Sequence, residues 1–403
     1  MDYSLFHGFK AKISNYHLFQ MKVALVENFG ADFVNSRLRY SLFLKENGVK
    51  VTAIIPQDGY REIIEKQGVQ VIEVGENIRG NALLNKIKYA LKLRTILRSY
   101  DFDIVHFYRL QPNIIGTFVA GISTTSKIVN HVTGLGVAFS NKSVKNLLLQ
   151  FLIKFLYQFN NYCFSPYTIF QNKQDAVDLG IHKNSICVKG SAVNESSFNK
   201  EVEKNKRQKI LNLKNEIGLP TEGAKVFLFV SRLLKEKGIF ELIEGFEAAQ
   251  KETKVPIYLV LAGWSDEENP SSVNSEELME LIKDVTYIKF LGKRSDVDLL
   301  LALSDVSILP TYYREGTPRF LLESMAMGKA IITTDMPGCN HLIPTGENGE
   351  LIKPKSVDEI KDAIVRILNR ELMNLGMNSS KLYQERFSEN VVYPTILNLY
   401  KSL

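Results

Sequence analysis

The feature that most constrains the fold is an alternation of short apolar strands and helical segments that occurs twice along the chain. The stretch "MKVALVENFG" contains the apolar run 23–26, and a helical segment then stops at Gly48, before the strand "VKVTAIIP". The alternation restarts after about residue 200 with the strand, loop and helix of "KVFLFVSRLLKEKGIFELIEGFEAAQ". Strands that alternate with helices pair in parallel, so each half predicts a doubly wound α/β unit.

A polar stretch, "VKGSAVNESSFNKEVEKNKRQK", separates the two halves. The chain of 403 residues is also too long for one compact core. We therefore predict two Rossmann-like domains that face each other across a cleft, where ligands bind at the carboxyl ends of the strands. The predicted boundaries are an amino-terminal extension at 1–20, a first domain at 21–190, a second at 191–385, and a terminal helix at 386–403 that could pack back on the first domain.

Composition narrows the function classes. The net charge of +6 is a mild excess of 50 basic over 44 acidic residues, which suits an anionic substrate or membrane surface and does not indicate nucleic-acid binding. The three cysteines lie far apart and have no metal-binding spacing. No segment reaches the ~18–20 apolar residues that span a bilayer, and residues 1–20 lack the apolar run of a signal peptide. We expect a cytosolic protein that can touch a membrane; whether 1–20 are native stays open, because Met21 could be the start.

Two basic residues follow the first strand of the second half. Ser231 and Arg232 end the strand "VFLFVSR", and Lys237 and Gly238 precede the next helix. Such residues point into the crevice, where a helix amino terminus adds partial positive charge, so the pattern suits a diphosphate. The alternative is a pair of solvated surface charges.

The stretch "PTYYREGTPRFLLESMAMGKA" combines a polar start with an apolar helix. Thr317 as N-cap and Pro318 at the first position predict a helix start, and Gly328 predicts its end. Glu315 then lies in the preceding loop and Glu323 inside the helix. A buried acid is costly unless it is paired or lies at a cleft edge. The two acids could bind two sugars of one ligand through their hydroxyls, or Glu323 could simply form a salt bridge.

These motifs resemble glycosyltransferase family 4, the retaining enzymes of GT-B fold. The resemblance rests on "VSRLLKEKG", the E-x7-E motif "EGTPRFLLE", "MAMGKAIITTDMPGCNH" and "GENGELIKP", and it runs through nearly all of 21–400. The strings "ADFVNSRL", "TGLGVAF" and "DEENPSSV" resemble the subset that extends lipid-linked saccharides in polysaccharide, O-antigen or glycan synthesis.

The resemblance implies transfer of a sugar from a nucleotide-diphosphate donor to a lipid-linked or growing saccharide. The first domain would bind the acceptor and the second the donor. A uridine nucleotide such as a UDP-N-acetylhexosamine is the leading donor, with guanosine left open. The implied partners are this donor and the lipid-linked glycan, with a peripheral contact with the inner membrane and no nucleic acid. No cofactor and no metal are expected.

The resemblance also assigns residues. The catalytic set comprises Arg232 and Lys237 at the diphosphate and Glu315 at the donor sugar. The donor-binding set adds Glu323, which would hold the ribose hydroxyls, and Gly316, Thr317 and Arg319, whose backbone N–H groups would line the phosphates. It also includes Ser231, which has a hydroxyl at the strand end, and Gly30. The acceptor or donor-sugar pocket is His131, Thr133, Gly134 and Gly136. No general base is assigned, because the leaving phosphate can accept the proton of the acceptor.

Two positions depart from the family pattern. His341 in "PGCNH" stands where the family often carries an acid, and Thr133 stands where many relatives place a histidine. His131, two residues earlier, shares the face of Thr133 in a strand. It could therefore point toward the acceptor or be a core histidine, and His106 has the same ambiguity.

The segment "KNLLLQFLIKFLYQF", Lys145–Phe159, is apolar nearly all round and too short to span a membrane. One interpretation is a buried helix. The other is a helix that lies on the inner membrane face with Lys142, Lys145 and Lys154, near an isoprenoid-linked acceptor.

Two other functions remain as alternatives. A nucleotide-sugar epimerase can share two facing Rossmann-like domains but lacks the E-x7-E and "SRLLKEKG" motifs. A catalytically inactive binding subunit is disfavoured because both basic residues and both glutamates are present. The D-x-D string at Asp101 and Asp103 precedes a strand, and we interpret it as a turn rather than a metal site.

Overall fold

The computed structural model describes residues 20–76, 83–140, 143–199, 201–266, 269 and 271–403. The predicted extension, except Gln20, and Lys142 lie outside the described residues. Within the described residues no helix combines the length and apolar character needed to cross a bilayer.

The first sheet has seven parallel strands. Its strands are β1 (Lys22–Val26), β2 (Lys50–Ile55), β3 (Gln70–Glu73), β4 (Ile104–Tyr108), β5 (Lys127–Val132), β6 (Tyr167–Phe170) and β7 (Ser185–Cys187). Its helices are α1 (Gly30–Ser36), α2 (Leu38–Glu46), α3 (Arg61–Glu65), α4 (Leu83–Ser99), α5 (Leu110–Gly121), α6 (Val144–Phe164) and α7 (Lys173–Leu179). The strand order is β3-β2-β1-β4-β5-β6-β7.

The second sheet has six parallel strands. They are β8 (Lys225–Leu233), β9 (Ile257–Ser265), β10 (Ile288–Phe290), β11 (Val306–Leu309), β12 (Ala330–Thr334) and β13 (Gly349–Ile352). The helices are α8 (Glu201–Asn205), α9 (Arg207–Glu216), α10 (Ile239–Glu252), α11 (Ser275–Ile282), α12 (Val297–Leu303), α13 (Arg319–Ala326), α14 (Val357–Leu368), α15 (Leu372–Arg386) and α16 (Glu389–Ser402). The order β10-β9-β8-β11-β12-β13 repeats the topology of the first sheet, which confirms the predicted pair of parallel α/β units.

Each sheet is buried on both faces by helices, as parallel sheets require. In the first domain, α2, α3 and α16 cover one face, and α4, α5 and α6 cover the other. The terminal helix α16 packs Tyr393 and Tyr400 against Tyr40, with ring centroids 5.2 and 6.3 Å apart. Core side chains change from the first domain to the second between Ala192 and Val193.

Three local boundaries differ from those predicted. The helical run expected at 35–48 is α2, while α1 covers the stretch from Gly30 that was expected to be a loop. The two helices are divided at Arg37, whose side chain turns inward to Glu27 (Nε to Oε2, 3.5 Å). Strand β8 ends one residue later than predicted, at Leu233, because β9 pairs along its whole length, so Ser231 and Arg232 are among its last three residues.

The third correction concerns the start of α13. The helix begins at Arg319 and its N-cap is Pro318, not Thr317, since Pro318 has an extended ψ of 119°. The Thr317 side chain makes no cap and lies beside His341 instead. The predicted end is confirmed, because Gly328 adopts a φ of +69° directly after the helix C-cap.

Candidate active site

Two glycine-containing loops meet where the carboxyl ends of the sheets face each other. Gly134 follows β5 and Gly316 follows β11. A Cβ on Gly134, whose φ is +111°, would lie 2.5 Å from the backbone nitrogen of Gly316. A Cβ on Gly316 would lie 2.6 Å from the carbonyl carbon of Thr133. Only glycine permits this approach, so the two domains touch backbone to backbone at the cleft.

Arg314 joins the domains beside this contact. Its carbonyl accepts a hydrogen bond from the Gly136 N–H at 3.1 Å, and its Nη2 contacts Asp175 Oδ1 at 2.8 Å and Asp178 Oδ2 at 2.6 Å. Burial raises the pKa of Asp175 to about 6, and the guanidinium of Arg314 opposes that rise. The Arg314 side chain thus forms an ion pair between the two domains.

Lys237 and Glu315 form the centre of the charged cluster. The Lys237 ammonium forms an ion pair with the Glu315 carboxylate, and both side chains are largely buried. The same ammonium lies 5.2 Å from the centre of the Tyr313 ring. Gly238, with a φ of +75°, lets this turn pack on the end of β11, because a Cβ there would lie 2.3 Å from the Pro310 carbonyl oxygen. The loop geometry therefore fixes Lys237 beside Glu315.

Arg232 extends the cluster from the end of β8. Its Nη1 contacts Asp266 Oδ2 at 2.9 Å, and its charge also interacts with Tyr313 and Glu315. The guanidinium remains about one-third exposed (31%), so it can reach a ligand in the cleft. The Ser231 hydroxyl donates to the Arg232 carbonyl at 2.8 Å and is therefore occupied within its own strand.

Glu323 is buried on α13 and paired. Its Oε1 accepts from Arg319 Nε at 2.6 Å, which is the salt bridge that the sequence left as an alternative. Burial raises the pKa of Glu323, and Arg319 opposes the rise. Arg319 also reaches the first domain, where its Nη1 donates to the Ser36 hydroxyl at 3.1 Å and to the Asn35 carbonyl.

Side chains of the first domain cover the loop ahead of α13. The Thr317 N–H donates to Gln171 Oε1 at 3.0 Å, so a phosphate oxygen at this N–H would have to replace Gln171. Asn172 Nδ2 donates to the Glu315 carbonyl at 3.3 Å. The Thr317 hydroxyl lies 3.3 Å from His341 Nε2, and burial lowers the pKa of His341 to about 4.

The ring contacts of His131 and the hydrogen bond of the Gly30 N–H lie within the first domain. His131 is 1% exposed and its ring stacks near those of His106 and Tyr108, at centroid distances of 5.5 and 5.2 Å, so it is a core histidine here. Burial lowers its pKa, and Arg37 adds to that effect. Gly30 begins α1 and donates its N–H to Asp58 Oδ2 at 2.7 Å, so this N–H is occupied within the first domain.

Sequence reasoning missed Arg109, which the first domain contributes to the cleft. Its Nε lies 3.1 Å from Glu27 Oε1 and its Nη2 2.5 Å from Asp32 Oδ2, and its charge interacts with Glu315. Its backbone has a φ of +75°, which is uncommon for a residue other than glycine. Arg109 directly follows β4, so the strand-end signal that singled out Arg232 could have found it.

The D-x-D string is structural. Asp103 Oδ2 accepts from the Lys22 N–H at 2.7 Å and Asp101 Oδ2 lies 3.1 Å from Lys22 Nζ, at the amino-terminal edge of the sheet. Among the described residues, no three or more His, Cys, Asp or Glu side chains are grouped so that they could hold a metal ion.

Comparison with known proteins adds independent findings. The family model described as glycosyl transferases group 1 matches residues 212–390, and the model described as glycosyl transferase 4-like matches residues 22–166. The N,N'-diacetylbacillosaminyl-diphospho-undecaprenol alpha-1,3-N-acetylgalactosaminyltransferase of Campylobacter jejuni is 29% identical over 94% of this chain and 98% of its own length. The UDP-Gal:alpha-D-GlcNAc-diphosphoundecaprenol alpha-1,3-galactosyltransferase of Escherichia coli is 25% identical over 85% and 83%.

Solved structures agree on the fold. HepE from Anabaena, solved in complex with UDP and glucose, superposes with a TM-score of 0.74 at 18% identity, covering 95% of this chain and all of its own. A glycosyltransferase from Rickettsia africae gives 0.73 at 19% identity, with 95% and 98% covered. The solved structures show that the chain has the GT-B fold, and the models that match its two halves show that it belongs to the family 4 glycosyltransferases.

Proposed function

We propose that this glycosyltransferase moves a sugar, with retention, from a UDP-sugar such as a UDP-N-acetylhexosamine to a lipid-linked saccharide in cell-surface polysaccharide synthesis. The observation that carries the proposal is the cluster of Arg232 and Lys237 around Glu315 at the carboxyl ends of the second sheet. The names of the two relatives support this acceptor class, and the HepE complex supports a uridine nucleotide.

The basic pair would act on the leaving diphosphate. Negative charge develops there as the bond to the sugar breaks, and preorganised cations stabilise it most in a site that excludes water. In the structure, the ammonium of Lys237 is paired with the carboxylate of Glu315. A bound diphosphate would take over Lys237 and free Glu315 to accept hydrogen bonds from the donor sugar. These two cations would replace a divalent ion, so we propose transfer without a metal or other cofactor.

Retention would follow from attack on the same face as the leaving group. The bond from the anomeric carbon to the β-phosphate oxygen breaks, the bond to the acceptor oxygen forms, and the acceptor proton moves to the leaving phosphate. Glu323 would hold the ribose hydroxyls after exchanging part of its contact with Arg319. The N–H groups of Gly316 and Thr317 would line the phosphates once Gln171 withdraws.

The acceptor would enter on the first-domain side of the cleft. Thr133, Gly134 and Gly136 form the loop that touches the donor loop there, while His131 would support this loop from the core. Because the proposed acceptor carries a lipid, we propose that the enzyme works as a peripheral protein on the cytoplasmic face of the inner membrane, without any role for nucleic acid.

The test is a transfer assay with the purified chain. It would be incubated with a panel of UDP- and GDP-sugars and a saccharide linked to a polyprenyl diphosphate, and the product anomer would be determined by NMR. We expect one UDP-sugar to be consumed only when the acceptor is present, with its anomeric configuration kept. Conversion of the nucleotide sugar to its epimer without acceptor would support the epimerase alternative, and an inverted product would overturn retention.

A further inference from the structure

Helix α6 turns an apolar face to solvent. Its inner face packs Ile153, Tyr157 and Asn160 against the domain. On the opposite side, large apolar side chains recur at helical spacing and are exposed, with Leu148 68% and Phe151 72% exposed. The exposed set on this helix is Val144, Leu147, Leu148, Leu149, Phe151, Leu152, Phe155, Phe159 and Tyr162. A surface helix ordinarily has polar residues on its outer side, so an apolar outer side indicates a surface that binds another molecule or a membrane.

The neighbouring helices continue this surface. Helices α4, α5 and α6 lie side by side on the same face of the first sheet. Exposed apolar side chains of α4 recur along one stripe, and α5 adds two more at its end: Leu83, Leu84, Ile87, Leu91, Phe118 and Ile122. The rings of Phe118 and Phe164 meet edge to face at 6.0 Å and join α5 to α6. We call the outer side of α4, α5 and α6 the three-helix face.

The three-helix face carries positive charge only. The sequence has no aspartate or glutamate from 77 to 100 or from 104 to 174. The same three helices contain seven basic residues: Lys86, Lys88, Lys92, Arg94, Arg98, Lys145 and Lys154. The whole chain has nearly balanced charges, so the separation is local to this face.

We propose that the three-helix face docks on an anionic lipid bilayer, with α6 lying flat in the headgroup region. This proposal rests on the proposed function for its purpose, which is to bring a lipid-linked acceptor to the cleft. Apolar side chains on a basic surface are the pattern of helices that lie in the interface, where the side chains enter the acyl boundary and the cations contact anionic headgroups.

Charge decides between a bilayer and a second copy of the chain. Two copies joined through this face would bring basic side chains together without a carboxylate on either side, and like charges brought together cost free energy. An anionic bilayer satisfies both properties of the surface. It supplies acyl chains for the apolar residues and negative charge for the basic ones.

The position of α6 relative to the cleft supports a lipid-borne substrate. Gln150 Nε2 donates to the Ala138 carbonyl at 2.7 Å, which ties α6 to the turn that follows Gly136. A cavity of about 540 Å³ opens between α6, this turn and Arg314, and Lys154 is part of its lining. Docking would therefore place this cavity at the bilayer surface, next to the loop that carries Glu315.

Vesicle co-sedimentation of the full chain tests the apolar contribution. Vesicles would contain phosphatidylcholine alone or with phosphatidylglycerol. The variant L148Q/F155Q/F159Q changes exposed residues outside the cavity lining, and M373Q/M377Q on α15 is the matched control because these methionines are also exposed. We expect the α6 variant to bind anionic vesicles roughly a hundredfold more weakly, and the control to bind like the wild type.

The electrostatic contribution is tested with K88E/K92E on α4 and the control K204E/K209E in the second domain. We expect the α4 variant to lose at least about tenfold in binding to anionic vesicles and to bind neutral vesicles like the wild type. Binding of the wild type should fall as salt rises. Equal binding of all variants, or of the wild type to neutral and anionic vesicles, would overturn the proposal.

Two further measurements separate this proposal from the proposed function. Each variant would be assayed with an acceptor that carries a short, water-soluble lipid chain, and unchanged transfer there shows that folding and chemistry are intact. If the wild type transfers sugar but does not bind vesicles, the docking proposal is wrong and the proposed function stands. If the wild type binds vesicles as expected but transfers no sugar, the proposed function is wrong and the docking proposal stands. A dimer without vesicles that L148Q/F155Q/F159Q abolishes would make the face a contact between copies and overturn docking.

Discussion

The two domains share one strand order but differ in what they present to their surroundings. In the second domain, α14 buries Ile360, Ile364 and Ile367 and turns charged side chains outward. In the first domain, α6 also packs on a parallel sheet, yet its outer face is apolar. The shared topology thus places the carboxyl ends of the strands in the same way in both domains. The polarity of the outer helix faces is independent of that topology and depends on what each face contacts.

The two domains also contribute different groups to the cleft. The second domain supplies the paired charges Arg232, Lys237 and Glu315. The first domain supplies Gly134 and the cation Arg109. This division predicts that nucleotide binding and membrane binding can be removed separately.

The largest effect is expected for Lys237→Ala. Loss of the cation at the developing diphosphate charge should lower kcat for transfer by roughly 10²–10³-fold. Lys235→Ala is the matched control, since Lys235 is on the same turn but exposed. Steady-state transfer assays check this, and rates for Lys237→Ala close to those of the control would remove Lys237 from the catalytic set.

Gly134→Ala should have the next largest effect. The added Cβ would meet the Gly316 nitrogen, so the domains would have to separate beside the proposed site of transfer. Misplacement of about 1 Å can cost on the order of a hundredfold in rate. Gly48→Ala is the control, because Gly48 has a similar positive φ with nothing within 4 Å of the added atom. Transfer by Gly134→Ala at the level of the control would show that the loops need not meet.

Glu323→Gln should weaken donor binding more than chemistry. A hydrogen bond to a charged group contributes about 1.5–3 kcal/mol, so KM for the donor should rise roughly tenfold or more, with a smaller change in kcat. Glu350→Gln is the control, since it removes another glutamate paired with an arginine, Arg370, at 2.8 Å. An unchanged KM would leave Glu323 with a structural role only.

The smallest effect concerns acid stability. Burial lowers the pKa of His341 from 6.5 to about 4, so below pH 6.5 the unfolded chain binds a proton there that the folded chain does not. The contribution of His341 to stability is therefore complete above pH 6.5 and falls by about 1.4 kcal/mol per pH unit as the pH decreases toward 4.

His341→Gln should remove this part of the pH dependence. Denaturant unfolding at pH 8 and pH 5 would measure the free energy of unfolding of both proteins. Between these two pH values the wild type should lose roughly 2 kcal/mol more stability than the variant. Replacing the exposed His182 by glutamine is the control. Parallel pH profiles for the wild type and His341→Gln would contradict the buried, neutral state of this histidine.

The fold class was predictable because its signal is local. Apolar runs of four to six residues and the glycine at the end of α13 are visible in the sequence without knowledge of contacts. Two weaker strands are not predicted from the sequence. Strand β7 has only three residues, and β13 lies inside the motif "GENGELIKP", which indicates the family rather than a strand. The break between α1 and α2 is also not predicted, because it depends on the ion pair between Arg37 and Glu27, which are distant in the sequence pattern.

The site was less predictable because its partners come from distant parts of the chain. Periodicity cannot show that Gln171 occupies the Thr317 N–H, or that Arg314 is committed to Asp175. The outer face of α6 was ambiguous for another reason. A helix that is apolar nearly all round does not reveal which side faces the core until its neighbours are placed.

The most direct test of the division between the domains is one binding measurement on three proteins. UDP affinity by calorimetry and anionic-vesicle affinity by co-sedimentation would be compared for the wild type, Lys237→Ala and L148Q/F155Q/F159Q. We predict that Lys237→Ala loses UDP affinity and keeps vesicle binding, and that the α6 variant shows the reverse. Loss of both activities in either folded variant, or UDP affinity in Lys237→Ala equal to that of the wild type, would contradict the account.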